Sequence, residues 1–242
     1  MRCKQIVLFN WPFYAAAAAA TAAAPLLIPR LPSPWVRVPA WTAAAAIATW
    51  LVTSLVASWA VYDRSRLMAW DWVLQALGFY PRTWINVHAG HDEATDALRR
   101  IFAEAEGRVF DIFDAGEMTE PSIARARRRA RPTAEPADYR HLPLANGSVD
   151  VATLLLSAHE LRSEAARGAF FTELRRVLGP GGRVVVAEHL RNWANFAAYG
   201  PGALHFHSRR TWVRCFTRHR FDVHAEFSIT PFVRVFVLRR LT

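Results

Sequence analysis

Lysine is almost missing from this sequence: Lys4 is the only one, and arginine carries the rest of the basic charge. Cysteine is nearly as scarce. Cys3 and Cys215 stand 212 positions apart, which excludes a disulfide framework and a multi-cysteine zinc module. No Gly-x-Gly-x-x-Gly run follows any predicted strand, which makes a dinucleotide oxidoreductase a poor reading. No acidic residue precedes Asp63, and no charge of either sign interrupts two stretches of 25 residues, Gln5–Pro29 and Val38–Tyr62.

What is present is 242 residues, 52% of them hydrophobic, with a net charge of +10. That is too apolar for a disordered chain and sufficient for one or two domains. Such basicity raises nucleic acid as a partner, but its distribution points elsewhere. Residues 1–62 hold four basic and no acidic residues, so the remaining 26 basic and 20 acidic residues give only +6. No nucleotide-recognition motif accompanies the charge, and no nucleic-acid partner is expected.

A bilayer core of ~30 Å takes about 20 apolar residues in a helix. The stretch from Val38 to Tyr62 has no proline after Pro39 and carries Trp41 near one end and Trp59 and Tyr62 at the other, the placement of an aromatic belt. It is expected to span a membrane. The first stretch is alanine-rich, with Pro12 placed to start a helix and Pro25 near its end. It is expected to be a first span, with a cleaved secretory signal over residues 1–24 as the alternative. Both readings leave residues 63–242 on the cytoplasmic side of a bacterial-type inner membrane, and Arg64 and Arg66 just after the second span fit that side. Residues 63–83 read as an amphipathic connecting helix, with Leu67, Trp70, Val73, Leu74 and Leu77 at helical spacing for packing on the following domain. The arginine-dense run Arg125–Arg131 reads as a solvated helix face, with anionic lipid as the next choice.

Residues 84–242 alternate strand and helix patterns: strands at 84–87, 108–113 ending in Asp114, 149–157 and 183–187, helices at 92–105, 120–130 and 163–178, and a C-terminal hairpin at 221–229 and 232–238. The expected fold is α/β, a doubly wound and mostly parallel sheet ending in an antiparallel hairpin, with two transmembrane helices before it. Ligands in such sheets sit at the carboxyl ends of the strands.

His141-Leu142-Pro143-Leu144-Ala145-Asn146-Gly147-Ser148-Val149-Asp150, an apolar strand, and then Glu173-Leu174-Arg175-Arg176-Val177-Leu178-Gly179-Pro180-Gly181-Gly182 resemble class I S-adenosylmethionine-dependent methyltransferases. The resemblance covers roughly residues 84–239. In it the Gly-Pro-Gly-Gly turn ends a helix, a glycine taking the left-handed backbone, and starts the fifth strand.

The resemblance implies S-adenosylmethionine as cofactor and places its loop at Asn86-Val87-His88-Ala89-Gly90. Asn86 stands where the family has an acidic residue, His88 and Asp92 where it has glycines, and Gly90 keeps the bare backbone. His88 and His91 do not have the spacing of a metal site, and no metal is expected. Asp114 falls where the family's acidic residue bonds the ribose diol, and Asp138 where a residue accepts the adenine amino group, with Tyr139 or Leu142 against the ring. His159 and His189 each follow a strand end and are the candidate catalytic bases or orienting groups, flanked by Glu160 and Glu188. Tyr199, His205 and His207 lie in the insertion where the family builds its acceptor pocket, and Phe196, Phe206 and Trp212 suggest an apolar acceptor. The expected function is a membrane-anchored methyltransferase acting on a lipophilic small molecule or lipid. The alternative is a non-catalytic methyltransferase-like module that partners another enzyme at the membrane.

Overall fold

The computed structural model describes residues 3–128 and 134–241. Residues 1–2 of the alternative secretory signal, and Arg129 and Arg131 of the arginine-dense run, lie outside the described residues. The N-terminal stretch forms α1 (Cys3–Phe9) and α2 (Trp11–Leu27), with Pro12 in the first turn of α2, and the second stretch forms α3 (Pro34–Trp59). Ser33 starts α3 by accepting the Trp35 N–H at 3.3 Å. Two helical segments, Trp11–Arg30 and Pro34–Ala69, are long and apolar enough to cross a membrane. Only 17% and 22% of their most apolar windows are buried, so they are not core helices, and Phe13, Leu27, Trp41, Val52 and Trp59 face outward.

The connection that follows is not one helix. A π-helical turn (Ala60–Arg64), a 3-10 turn (Arg66–Ala69) and α4 (Trp72–Leu77) replace it, because Trp70 takes a left-handed backbone at φ 58°. Leu67, Trp70, Val73 and Leu77 are buried against the sheet, so burial of these side chains outweighs helical continuity.

The described residues form a seven-stranded sheet: β1 (Thr83–His88), β2 (Glu106–Asp111), β3 (Glu135–Pro136), β4 (Val149–Leu155), β5 (Leu178–His189), β6 (Phe221–Thr230) and β7 (Val233–Arg240), in the order β3-β2-β1-β4-β5-β7-β6. β1 to β5 pair in parallel and β7 is antiparallel to both β5 and β6. Strand alternation divides the core between two faces. Val184 and Val186 join Phe170, Phe171, Trp212 and Phe216 on one, while Val185 and Ala187 join Trp70, Leu98 and Phe102 on the other. The helices of the domain are α5 (Thr95–Ile101), α6 (Pro121–Arg127), α7 (Glu164–Val177), α8 (Trp193–Tyr199) and α9 (Arg209–Arg218).

Two expectations are corrected. β2 ends at Asp111, three residues before Asp114, where Asp111 Oδ1 accepts the Phe113 N–H at 3.1 Å and turns the chain. The Gly-Pro-Gly-Gly segment does not cap α7: Leu178 ends the helix in extended backbone, and the glycines form a bulge inside β5, where Val149 pairs with Leu178 but Val151 with Arg183. Gly181, at φ 77°, takes the left-handed backbone that this bulge requires. The two motif halves occur together for a physical reason. Glu173 accepts the Leu142 N–H at 2.6 Å, and Arg176 donates to the carbonyls of Leu142 and Leu144 at 3.0 and 2.8 Å.

Candidate active site

The strand order reverses between β1 and β4, and the crevice at their carboxyl ends is where such sheets bind ligands. At the end of β1 Asn86 is buried and spent on structure. Its amide donates to Thr95 Oγ1 at 3.0 Å and to Asp92 Oδ1 at 3.2 Å, and its carbonyl accepts from Thr153 Oγ1 at 2.8 Å. Asp92 caps α5 through the Ala94 and Thr95 N–H groups, both at 3.0 Å. His88 Nδ1 accepts the Gly90 N–H at 3.1 Å, while its Nε2 is buried without a partner. Burial lowers the His88 pKa, so the ring is neutral. Gly90 sits at φ 93°, and a Cβ there would meet the side chain of Arg127, which lies over it.

Arg127 donates to Asp111 Oδ2 at 2.5 Å and stacks over Phe113 at 4.1 Å. These three line a cavity of about 340 Å³ with Pro136, Ala137 and Asp138. Asp114 stands just outside it: its Oδ1 accepts the Gly116 N–H at 2.8 Å, and its Oδ2 meets Arg140 at 3.5 Å. Asp138 Oδ1 accepts the Arg140 N–H at 2.8 Å. Tyr139 and Leu142 are buried in the core. Sequence reasoning missed Asp111 and Arg127; the first is hidden because periodicity does not locate a strand's last residue, the second because it lies in a run that looked solvated.

The second part of the site is built at the ends of β4 and β5. Glu188, fully buried, accepts the N–H groups of Ala158 and His159 on Oε1 at 2.7 and 3.2 Å, and its Oε2 holds His159 Nδ1 at 2.6 Å. Glu160 Oε1 lies 3.2 Å from His159 Nε2 on the other side of the ring. Burial alone would lower the His159 pKa, but the charges of Glu188 and Glu160 outweigh it and hold the pKa at about 10. At neutral pH His159 is therefore a cation and a hydrogen-bond donor, not a ready base.

His189 is held differently. Its Nδ1 faces two acceptors, Asn195 Oδ1 and the Phe232 carbonyl, both at 3.1 Å, so the proton sits there and Nε2 accepts from the Tyr62 hydroxyl at 2.7 Å. Both ring nitrogens are engaged, and Phe206 stacks on the ring at 5.0 Å. Tyr62, expected only as an aromatic-belt residue at the end of the second apolar segment, is a partner of the site.

A cleft of about 1490 Å³ opens between these strand ends and the N-terminal helices. Phe9, Tyr14 and Trp50 line one wall, His159, His205 and Tyr199 the other. Gly200, at φ 55°, lets α8 and the following turn approach Trp50. His207 and Trp212 are elsewhere: His207 Nε2 faces Arg167 at 3.0 Å, and Trp212 is buried among Phe171 and Phe216. Phe196 and Phe206 do line the cleft, together with Phe9, Phe13 and Ile47 of α1 to α3.

Residues 92–186 match the sequence pattern of a methyltransferase domain family. A search of curated proteins finds no match. Among solved structures, a SAM-dependent methyltransferase from Aquifex aeolicus aligns with a TM-score of 0.53 and 18% identity, over 74% of this chain and 94% of its own. A protein from Pyrococcus horikoshii OT3 aligns with a TM-score of 0.54 and 14% identity, over 74% of this chain and 91% of its own. With β1 to β5 parallel and the β5-β7-β6 antiparallel end, the chain has the Rossmann-like fold of class I S-adenosylmethionine-dependent methyltransferases, and its residues 92–186 match a methyltransferase domain family.

Proposed function

We propose that this protein is a membrane-anchored methyltransferase that uses S-adenosylmethionine and takes a lipophilic acceptor from the side of its N-terminal helices. The observation that carries this reading is the cleft itself, whose one wall is apolar helix long enough to span a bilayer and whose other wall is the carboxyl ends of the strands. The outward aromatic and aliphatic surface of α2 and α3 is suited to hydrocarbon, and tethering would concentrate a lipid-soluble acceptor at the site.

The residues present fit the cofactor. Asp111 and Asp138, two carboxylates on one small cavity, suit the hydroxyl and amino groups of an adenosine moiety, with Asp114 behind them through Arg140. Gly90 offers bare backbone, and Arg127 supplies a cation for an amino-acid carboxylate once it leaves Gly90. When bound, the cofactor supplies an electrophilic methyl group. The chain's own work is then positional. His159, charged and fixed by Glu188, donates a hydrogen bond to a polar atom of the acceptor, while Tyr62 and Asn195 hold His189 neutral as part of the wall.

Calorimetry of S-adenosylhomocysteine binding to the full chain in detergent tests this. Binding is expected, weakened by about tenfold or more in Asp111→Ala, the scale of a lost hydrogen bond to a charged group. No heat at millimolar ligand sinks the reading. It favours the non-catalytic membrane module, for which the side chain of Arg127 over Gly90 is the specific support.

A further inference from the structure

We propose that His159, Glu160 and His205 form a binding site for one divalent first-row transition-metal ion, at the mouth of β4 and facing the cleft. One ligand atom from each of the three lies within 4.8 Å of the others. Both imidazole Nε2 atoms converge on the same carboxylate oxygen, Glu160 Oε1, at 3.2 Å from His159 and 3.9 Å from His205. Each ring is oriented from behind by a second carboxylate on its Nδ1: Glu188 on His159 at 2.6 Å, and Glu120 on His205 at 2.9 Å. A carboxylate on Nδ1 keeps a proton there, the outer arrangement of histidine-ligated metals, and an ion binds Nε2 by displacing to solvent the second proton that His159 carries in the metal-free protein.

A second observation points the same way. Glu160 is only 9% exposed, and its Oε2 is buried with no hydrogen-bond partner among the described residues. A buried carboxylate oxygen without a donor carries an unmet desolvation cost that an ion would relieve. Arg162 competes with an ion: its Nη1 donates to His205 Nδ1 at 2.5 Å and to the His205 carbonyl at 3.1 Å. With an ion on Nε2, the His205 proton sits on Nδ1 and is donated to Glu120, and Arg162 gives up Nδ1 and keeps the carbonyl.

Two imidazoles and one carboxylate suit zinc, cobalt or ferrous iron, whereas magnesium and calcium prefer all-oxygen sets. Three protein ligands leave coordination positions open. Because all three residues line the cleft, those positions face the acceptor space and select an acceptor that presents an oxygen donor; this last clause rests on the methyltransferase reading.

The full chain in detergent, stripped with a chelator, is titrated with Co2+ and followed by its visible d–d absorption. A saturable band at one Co2+ per chain is expected. Its absence overturns the proposal without any variant. His205→Ala, on a partly exposed turn, and Glu160→Gln are each expected to weaken Co2+ by well over tenfold. Glu120→Gln, which alters only an outer partner, should weaken it by about tenfold. Unchanged affinity in both ligand variants also overturns the site. Calorimetry with S-adenosylhomocysteine on the same preparation separates the two readings: a Co2+ band without cofactor heat leaves the metal site and removes methyl transfer, and the reverse result removes only the metal site.

Discussion

His159 and His189 stand at the carboxyl ends of neighbouring strands of one sheet, share one cleft and are both almost fully buried, yet their surroundings drive them in opposite directions. Around His159 stand carboxylates, Glu188 and Glu160, and its pKa is held up at about 10. Around His189 stand a phenol, an amide and a carbonyl, and burial together with the nearby charge of His159 takes its pKa down to about 4. The lesson is that residue type and position at a strand end do not set a histidine's role. The charge of its partners does, so one ring is a fixed cation and the other a neutral strut.

The largest way to break this contrast is to remove Glu188. Glu188→Ala leaves His159 and two backbone N–H groups without their acceptor in a closed space. Removing one partner of a buried pair costs about 3–5 kcal/mol. A thermal melt of the metal-free protein should fall by roughly ten degrees. Glu188→Gln, which keeps an acceptor for the N–H groups, should lose less stability while still dropping the His159 pKa by NMR titration. A His159 pKa unchanged in Glu188→Gln would mean that the carboxylate is not what distinguishes the two rings.

A smaller effect is expected on the neutral side. Tyr62→Phe strips His189 Nε2 of its only donor among the described residues, and an unsatisfied buried acceptor costs about 1–3 kcal/mol. Tyr62 lies 127 residues before His189 and ends the second apolar segment, so this bond also ties the N-terminal helices to the sheet. Tyr62→Phe should therefore increase proteolytic nicking between residues 60 and 82 as well as lower the melt. A melt matched to the wild type would show that the phenol is a bystander.

How far the sequence carries this picture depends on distance along the chain. The doubly wound sheet is legible because its signals are local: the apolar run of β4, the alternating hairpin β6–β7, and a motif pair locked by Glu173 and Arg176. His159, Glu160, Glu188 and His189 are legible as a group because each lies at or just beyond a strand's carboxyl end. What separates them is not, since their deciding partners come from far away: Glu120 reaches His205 across 85 positions, and the Phe232 carbonyl reaches His189 across 43. The same limit hides Arg127, whose side chain folds over Gly90 from a helix that looked solvent-facing, and the end of β2 at Asp111, three residues before the expected Asp114.

The smallest expected effect sharpens the comparison by pH. His189 has a folded pKa of about 4, below its ordinary 6.5, so between those values the unfolded chain binds more protons than the folded one. Stability that His189 contributes above pH 6.5 is then lost as pH falls towards 4. The groups facing it are the Tyr62 and Tyr199 rings, Asn195, the Phe232 carbonyl and the charge of His159, and among these none titrates in that window. Over the first pH unit below 6.5 the loss is about 1 kcal/mol. His205 and His207, lowered to about 4 and about 3, add to the same acid limb, so the His189 share is read as a difference. His189→Asn, measured beside the wild type by thermal melts from neutral to mildly acid pH, should show a shallower acid limb. Parallel limbs in the two proteins would mean that His189 is protonated in the fold, and that the two histidines of the cleft are not opposites after all.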